Sequence, residues 1–342
     1  MTDKNNKYKQ MKLITLHKNA VSPLYKQIIE CVERAIFEKR LFKNDKLPSV
    51  NKVSMEFSVS RDTVLLAYNE LKKRGIIYSI LGKGYYVKSV HFNFEQRFFL
   101  LFDELNIFKE DIYNSFLKSI DGKAQVELFF HHFNSNMFAK IINESNGNYS
   151  KYIIMPGTLK NVSTLLNTLP PNDVYILDQT NQSLSQFPSV HQDFANDIYE
   201  ALQSGIDKIM KYKKLILIFP GLNEPYGMVE GFYKFCDDYH FLHQVISSFD
   251  NREIKHGEVY IIPNDRHLVE VIEQSKIQNM KLIKDFGVIS YNDTDLKKIV
   301  ENGITTISTD FKQMGRILAQ MVLSNKKETI KNSCQLILRN SL

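Results

Sequence analysis

Arg61 and Thr63 follow Val59-Ser60, and further along Lys83 stands between Gly82 and Gly84. A guanidinium presents a planar fork of donors that matches a phosphate or the acceptor edge of guanine. A threonine hydroxyl bonds phosphate, and its methyl can touch that of thymine. An ammonium at the tip of a glycine-bounded turn reaches a phosphate or a minor groove. These residue types point to contact with a polyanion, not to bond making.

Positioning them takes a helix-turn-helix and a β-hairpin, and the flanking sequence reads as both. Val21-Ser22-Pro23-Leu24-Tyr25 opens a helix to about Lys39, with Ile28, Val32, Ile36 and Phe37 at helical spacing. Residues Leu41 to Lys46 connect it to a short second helix that Ser49 caps, with Val53 and Phe57 inward. Ser58-Val59 make a turn, and Ser60 caps a third helix whose buried stripe is Val64, Ala67, Tyr68 and Leu71. Arg61, Asp62, Leu65, Asn69, Lys72 and Lys73 then face outward, with Thr63 in the first turn, and it is the N-terminal end of such a helix that enters a major groove. Lys72, Lys73 and Arg74 complement the helix C-terminus. Gly75 ends the helix, and Ile76–Leu81 and Tyr85–Val87 read as two strands around Gly82-Lys83-Gly84, where glycine admits positive φ.

Charge follows the same division. The net charge is +6, but residues 1–90 hold 18 Lys and Arg against 8 Asp and Glu, and the remainder 26 against 30, so the halves carry +10 and −4. A basic module on a mildly acidic body is expected to meet phosphate with the first part only. At 342 residues, with 43% hydrophobic, the chain is long enough for two domains with real cores. No apolar run is long enough to span a bilayer, and the polar stretch Met1–Gln10 lacks the apolar core of a signal peptide, so no membrane partner is expected. Cys31, Cys236 and Cys334 are odd in number and far apart, which argues against a disulfide framework or a thiolate metal site and places the chain in a cytoplasm.

Residues 21–88 resemble the DNA-binding domain of the GntR family of bacterial transcription regulators. The resemblance rests on Pro23-Leu24-Tyr25 with Gln27-Ile28, Leu47-Pro48-Ser49, Val59-Ser60-Arg61, Thr63-Val64, Ala67-Tyr68, Leu71, Gly75, Gly82-x-Gly84 and Val87. It implies a DNA-binding set of Ser49, Asn51, Ser60, Arg61, Asp62, Thr63, Tyr68, Gly82, Lys83 and Gly84. Asn51 is a departure: the family usually has an arginine there that contacts DNA, and asparagine keeps hydrogen bonding but brings no charge.

From about Phe99 the pattern changes to apolar runs alternating with helical stretches. The runs are Val126–Phe130, Tyr152–Met155, Val174–Leu177, Leu215–Phe219, Val259–Ile262 and Gly287–Ser290, and the helical patterns include Phe194–Met210, Leu268–Ser275 and Lys312–Leu323. Continuous apolar strands between helices predict doubly wound parallel sheets, which bind ligands at the carboxyl ends of their strands. Asp178, Asn264-Asp265 and Asn292-Asp293 stand there; they are either turn residues or hydrogen-bonding partners for hydroxyls.

This half resembles the effector domain of the LacI/GalR regulators, itself similar to periplasmic sugar-binding proteins. The matching pieces are Leu177-Asp178, Val190, Asp193, Gly231-Phe232, Pro263-Asn264-Asp265, Gly287–Asp293, Thr305-Thr306-Ile307, Asp310, Gly315-Arg316, Ala319 and Leu338–Ser341. The resemblance implies an effector pocket of Asp178, His191, Met228, Asn264, Asn292 and Thr309. Met228 stands where the family has a sugar-clamping arginine, and Asn292 where it has an aspartate. A pocket short of one cation and one anion is expected to favour a neutral monosaccharide, a pentose or a 6-deoxyhexose such as arabinose or fucose.

The expected architecture is a small α+β head on an α/β body: a winged helix-turn-helix over 1–88, a linker over 89–97, and a two-lobed, periplasmic-binding-protein-like domain over 98–342. An arabinose-repressor-type regulator has this order. It would bind double-stranded operator DNA as a homodimer and respond to a small-molecule effector, without a cofactor. Two alternatives stay open: a body that only dimerises, and a fusion to a pyridoxal-phosphate enzyme. The second is disfavoured by the short body and the absence of a Schiff-base lysine context. Gly-x-Ser-x-Gly, His-Glu-x-x-His and P-loop motifs are also absent. His131-His132 and His240-x-x-His243 could seed a metal site, but neither has a cysteine or a clear third ligand beside it.

Overall fold

The computed structural model describes residues 13–18, 22–90, 96–221, 224–250 and 252–342. Met1–Gln10, Val21 and positions 91–95 of the expected linker lie outside the described residues. By backbone proximity the chain divides into two compact units, one of Met1–Leu101, Asp121–Ile153 and Asn161–Val174, the other of Phe102–Ile120, Ile154–Lys160 and Tyr175–Leu342.

The head lies in the first unit. Its elements are α1 (Leu24–Phe37), α2 (Val50–Phe57), α3 (Arg61–Lys73), β1 (Ile77–Ile80) and β2 (Gly84–Val87). α1 starts immediately after Pro23, whose missing N–H costs nothing at a helix start. Ile28, Val32, Val53, Val64, Ala67, Tyr68, Leu71, Ile77 and Val87 form one core cluster. Burying each larger side chain there stabilises the head by about 1.5–3 kcal/mol. β1 and β2 pair antiparallel from Ile77↔Val87 to Ile80↔Gly84. The N–H of Leu47 donates to Tyr85 O (2.9 Å) and that of Asn44 to Val87 O (2.8 Å), so β2 is held on both edges.

The body continues as β3 (Gln96–Phe102), α4 (Ile107–Ile120), β4 (Ala124–Phe130), α5 (Ser135–Ser145), β5 (Lys151–Ile154), α6 (Val162–Leu166), β6 (Val174–Asp178) and β7 (Ser189–His191). Next come α7 (Phe194–Ser204), α8 (Ile206–Ile209), β8 (Lys214–Ile218), α9 (Gly227–Asp238), β9 (Leu242–Ile246), β10 (Glu258–Ile262) and α10 (Asp265–Ile277). The last elements are β11 (Gly287–Tyr291), α11 (Asp295–Ile299), β12 (Thr305–Thr309), α12 (Phe311–Ser324), β13 (Thr329–Lys331) and β14 (Cys334–Ile337). β3 opens at Gln96, inside the segment read from sequence as linker.

Two six-stranded sheets result, in the orders β4-β3-β5-β6-β7-β13 and β9-β8-β10-β11-β12-β14. In the second, β9, β8, β10, β11 and β12 run parallel and only β14 is antiparallel to its neighbour. Its central strands are buried on both faces, which is why they read as unbroken apolar runs. The chain crosses from one sheet to the other after β7, β12 and β13, and the three crossings bond to one another. Asn332 N–H donates to His191 O (2.8 Å), Asn332 Nδ2 to Asp310 O (2.9 Å), and Asp310 N–H to Ser333 O (3.1 Å). Among the described residues no helix is long and apolar enough to cross a membrane.

Candidate nucleic-acid face and ligand wall

The turn before α3 is built by short-range bonds. Ser49 Oγ accepts from Lys52 N–H (3.2 Å) and caps α2, which closes on Ser58 in the left-handed region at φ 51°. Ser60 Oγ accepts from Thr63 N–H (3.1 Å) and lies 2.8 Å from the Thr63 hydroxyl, so the first turn of α3 is pinned. Arg61 and Asp62 are exposed on that turn, Asn51 is exposed at the start of α2, and Thr63 is half-buried. Opposite the buried stripe of α3 stand Asp62, Leu66, Asn69 and Lys73, all exposed. Leu66 was not singled out from sequence, where it reads as one more apolar residue beside Leu65.

The wing turns through Gly82 at φ 73° and Gly84 at φ 111°, values that a side chain would strain. Lys83 is exposed at the tip and its N–H donates to Ile80 O (3.0 Å). Tyr68, which helical spacing puts in the buried stripe and the resemblance puts in the DNA-binding set, is wholly buried, so the first reading holds and the second does not. Its hydroxyl donates to Pro48 O (2.8 Å), and its ring meets that of Tyr85 edge-on at 4.8 Å. Tyr68 thereby ties the segment before α2 to α3 and β2, and burial holds its pKa well above the tyrosine range.

In the body, Asp178 ends β6 at φ 72° and Asn292 follows β11 at φ 60°, so both stand in the left-handed region. Non-glycine residues held there mark places where the surrounding structure fixes a side chain's aim. Asp178 is buried: Oδ2 accepts from Lys109 Nζ (2.9 Å) and Oδ1 from Gln192 Nε2 (2.5 Å). Lys109 Nζ also meets Asp103 Oδ2 (3.2 Å) and Met155 Sδ (2.8 Å). Burial pulls the Lys109 pKa down, but Asp178 and Asp103 outweigh it and hold it above the lysine range. Burial holds the Asp103 carboxyl above its usual value, against the pull of Lys109. The Thr309 hydroxyl donates to Gln192 Oε1 (2.6 Å), so a hydrogen-bonded chain runs from Asp103 through Lys109, Asp178 and Gln192 to Thr309.

His191 Nδ1 lies 3.1 Å from Ser189 Oγ, and burial lowers its pKa, which keeps the ring neutral near pH 7. Asn264 caps α10, its Oδ1 accepting from Arg266 N–H (2.9 Å). Asn292 Oδ1 is buried without a hydrogen-bond partner among the described residues. The backbone at Asn292 is clamped by Lys297, whose Nζ donates to Tyr291 O (2.7 Å) and Asn292 O (2.9 Å). Met228 is 5% exposed, inside the cluster of Val229, Phe232, Phe235 and Leu202. The structure therefore joins Asp178 and Thr309 in one bonded chain and places Met228 in an apolar core. Sequence reading missed Asp103, Lys109 and Gln192, which no motif spacing marks. Among the described residues no group of three or more His, Cys, Asp or Glu is arranged to hold a metal.

Comparison with known proteins agrees with both halves. Residues 24–87 match the family described as "Bacterial regulatory proteins, gntR family", and residues 249–342 match "Periplasmic binding protein-like domain". The mannosyl-D-glycerate transport/metabolism system repressor MngR of Escherichia coli (strain K12) is 38% identical over 82 residues, 24% of this chain and 34% of that protein. The HTH-type transcriptional repressor YtrA of Bacillus subtilis (strain 168) is 32% identical over 75 residues, 22% of this chain and 58% of that protein. The chain thus spans about a third and somewhat over half of these two relatives. The trehalose repressor from Escherichia coli matches in structure with a TM-score of 0.60 at 14% identity, over 71% of this chain and 100% of that one, a likeness of fold.

Proposed function

We propose that this chain, which fuses a GntR-type winged helix-turn-helix head to a LacI/GalR-like effector domain, is a sequence-specific transcription regulator and not an enzyme. Its head binds double-stranded operator DNA, and its body senses a small molecule. The observation that carries this reading is the exposed first turn of α3, with Arg61 and Asp62 presented beside a Ser60 cap and with the Lys83 wing tip in the same head. Arg61 reads guanine or phosphate, Thr63 and Lys83 meet the backbone, and Asn51 adds a neutral contact.

The finer reading is a cytoplasmic homodimer that represses carbohydrate-utilisation genes. Its two heads lie on a two-fold site, and a neutral monosaccharide, a pentose or 6-deoxyhexose, releases them. The bonded crossings between the sheets favour a hinge there. A ligand that closes the hinge alters DNA affinity, and DNA alters ligand affinity by the same factor.

Selection of bound sequences from a pool of random duplexes, using the full chain, tests the core of this reading. Arg61→Ala is expected to cost about 1–3 kcal/mol on the selected operator and to relax selectivity at one position. Unchanged affinity and selectivity would remove Arg61 from the interface. Failure to enrich any sequence would sink the regulator reading itself.

A further inference from the structure

We propose that Lys109 is a specificity-determining residue for the effector, its ammonium taking an uncharged hydroxyl group while the Asp103 and Asp178 carboxylates beside it oppose phosphorylated or carboxylated ligands. The inference rests on the sugar-effector reading above and deepens it. Lys109 lies in the first turn of α4, where Asn106 Oδ1 accepts from Phe108 N–H (3.1 Å) and Lys109 N–H (3.0 Å) and so fixes the backbone that carries it. Two of its partners are the carboxylates of Asp103 and Asp178, and the third is the Met155 thioether. A thioether is a weak acceptor, so one ammonium proton is poorly spent. A ligand hydroxyl oxygen is a better acceptor for it.

The same hydroxyl can donate its proton to a neighbouring carboxylate. Asp178 accepts one bond on each oxygen and retains lone pairs for another. A group that is both donor and acceptor satisfies ammonium and carboxylate together; an anion satisfies only the ammonium and meets two carboxylates besides. One cation against two anions leaves the cluster at −1, which opposes phosphate. Side-chain exposure is 10% for Lys109 against 3% for Asp103 and 4% for Asp178, so the lysine is the most accessible of the three.

The test is calorimetric titration of the full-length chain with arabinose, ribose, fucose and glucose and with a phosphate ester of each. Wild type is expected to bind one free sugar and not its ester. Lys109→Met leaves two buried carboxylates without a cation and risks misfolding, so it is paired with Lys109→Met/Asp103→Asn, which keeps the wild-type cluster charge. Both are expected to lose about tenfold or more in sugar affinity, the range of a hydrogen bond to a charged group, and operator binding measured without sugar reports whether each variant folds. An ester bound as tightly as its sugar, or a double variant with wild-type affinity, overturns the proposal. Sugar binding by the double variant but not by wild type would make Lys109 a plug, which also overturns it. No sugar bound by any form, with operator binding intact, would sink the sugar-effector reading and this inference with it.

Discussion

A methyl group on Gly231 would stand 2.0 Å from the carbonyl oxygen of Ala195 and 2.5 Å from Ile198 Cγ2. The obstacle is helix backbone, which cannot turn aside as a side chain can, so α9 would have to lift from α7 and loosen the core of Phe232, Phe235 and Leu202 beneath. Gly231→Ala gains about 1 kcal/mol of helix propensity, but overpacking against backbone, typically about 1–3 kcal/mol, is expected to win and leave the chain less stable by up to about 2 kcal/mol. A urea unfolding midpoint at or above that of wild type would refute the close approach. Gly315 is under the same constraint, with a methyl falling 2.4 Å from Ile112 O on α4. In the sequence these glycines are isolated residues in helical patterns and served only as points of resemblance, because the carbonyl that forbids a side chain comes from another helix. Lys109 is hidden for the same reason: its partners stand at the ends of separate strands, and nothing in its own neighbourhood marks it.

At the scale of elements, two side chains govern the head helices. Ser60→Ala removes the oxygen that accepts from Thr63 N–H (3.1 Å) and the partner of the Thr63 hydroxyl. It is expected to destabilise the chain by about 1 kcal/mol and to weaken operator binding by fraying the turn that carries Arg61; equal thermal stability would show that the cap contributes nothing. Glu30 on α1 is pushed up to about 7 by burial, with Arg34 opposing and Glu33 adding to it, against an ordinary value of 4.5. The folded state therefore holds this proton more tightly than the unfolded chain. Its contribution to stability is full below about 4.5 and is lost as the pH rises through about 7. Glu30→Gln is expected to raise the melting temperature relative to wild type increasingly across that window, and a pH-independent difference would contradict the burial of this carboxyl.

Element legibility followed burial. The strands buried on both faces, β6, β8, β10 and β11, stood out as apolar runs, and the caps Ser49 and Ser60 marked their helices. β12 is equally buried but reads Thr-Thr-Ile-Ser-Thr, because its hydroxyls find partners inside: Thr306 donates to Asp293 Oδ1 (3.1 Å) and Thr305 to Arg339 O (3.2 Å). β9 alternates exposed and half-buried residues and has no apolar run to declare it. Position-by-position resemblance named Asp178 and Thr309, which the structure joins, and also Tyr68, which helical spacing puts in the buried stripe of α3.

At the scale of the whole molecule, the segregation of charge, +10 in residues 1–90 against −4 in the remainder, makes ionic strength the variable that separates phosphate contacts from base contacts. Each phosphate neutralised releases counterions, so the logarithm of the binding constant falls with the logarithm of salt by about 0.9 per contact on duplex DNA. Lys83 sits exposed at the wing tip on a turn fixed by two glycines, a placement suited to phosphate and not to base reading. Lys83→Gln is expected to weaken binding to the selected operator and to unrelated duplex alike, and to reduce the salt slope by about one. Arg61→Ala is expected to act mainly on the operator, narrowing the gap between specific and non-specific affinity. Measuring both variants from low to physiological salt by fluorescence anisotropy checks the division of labour. A Lys83 variant with the wild-type slope would take the wing tip off the backbone, and an Arg61 variant that weakens both duplexes equally would make that arginine a phosphate contact instead of a reader.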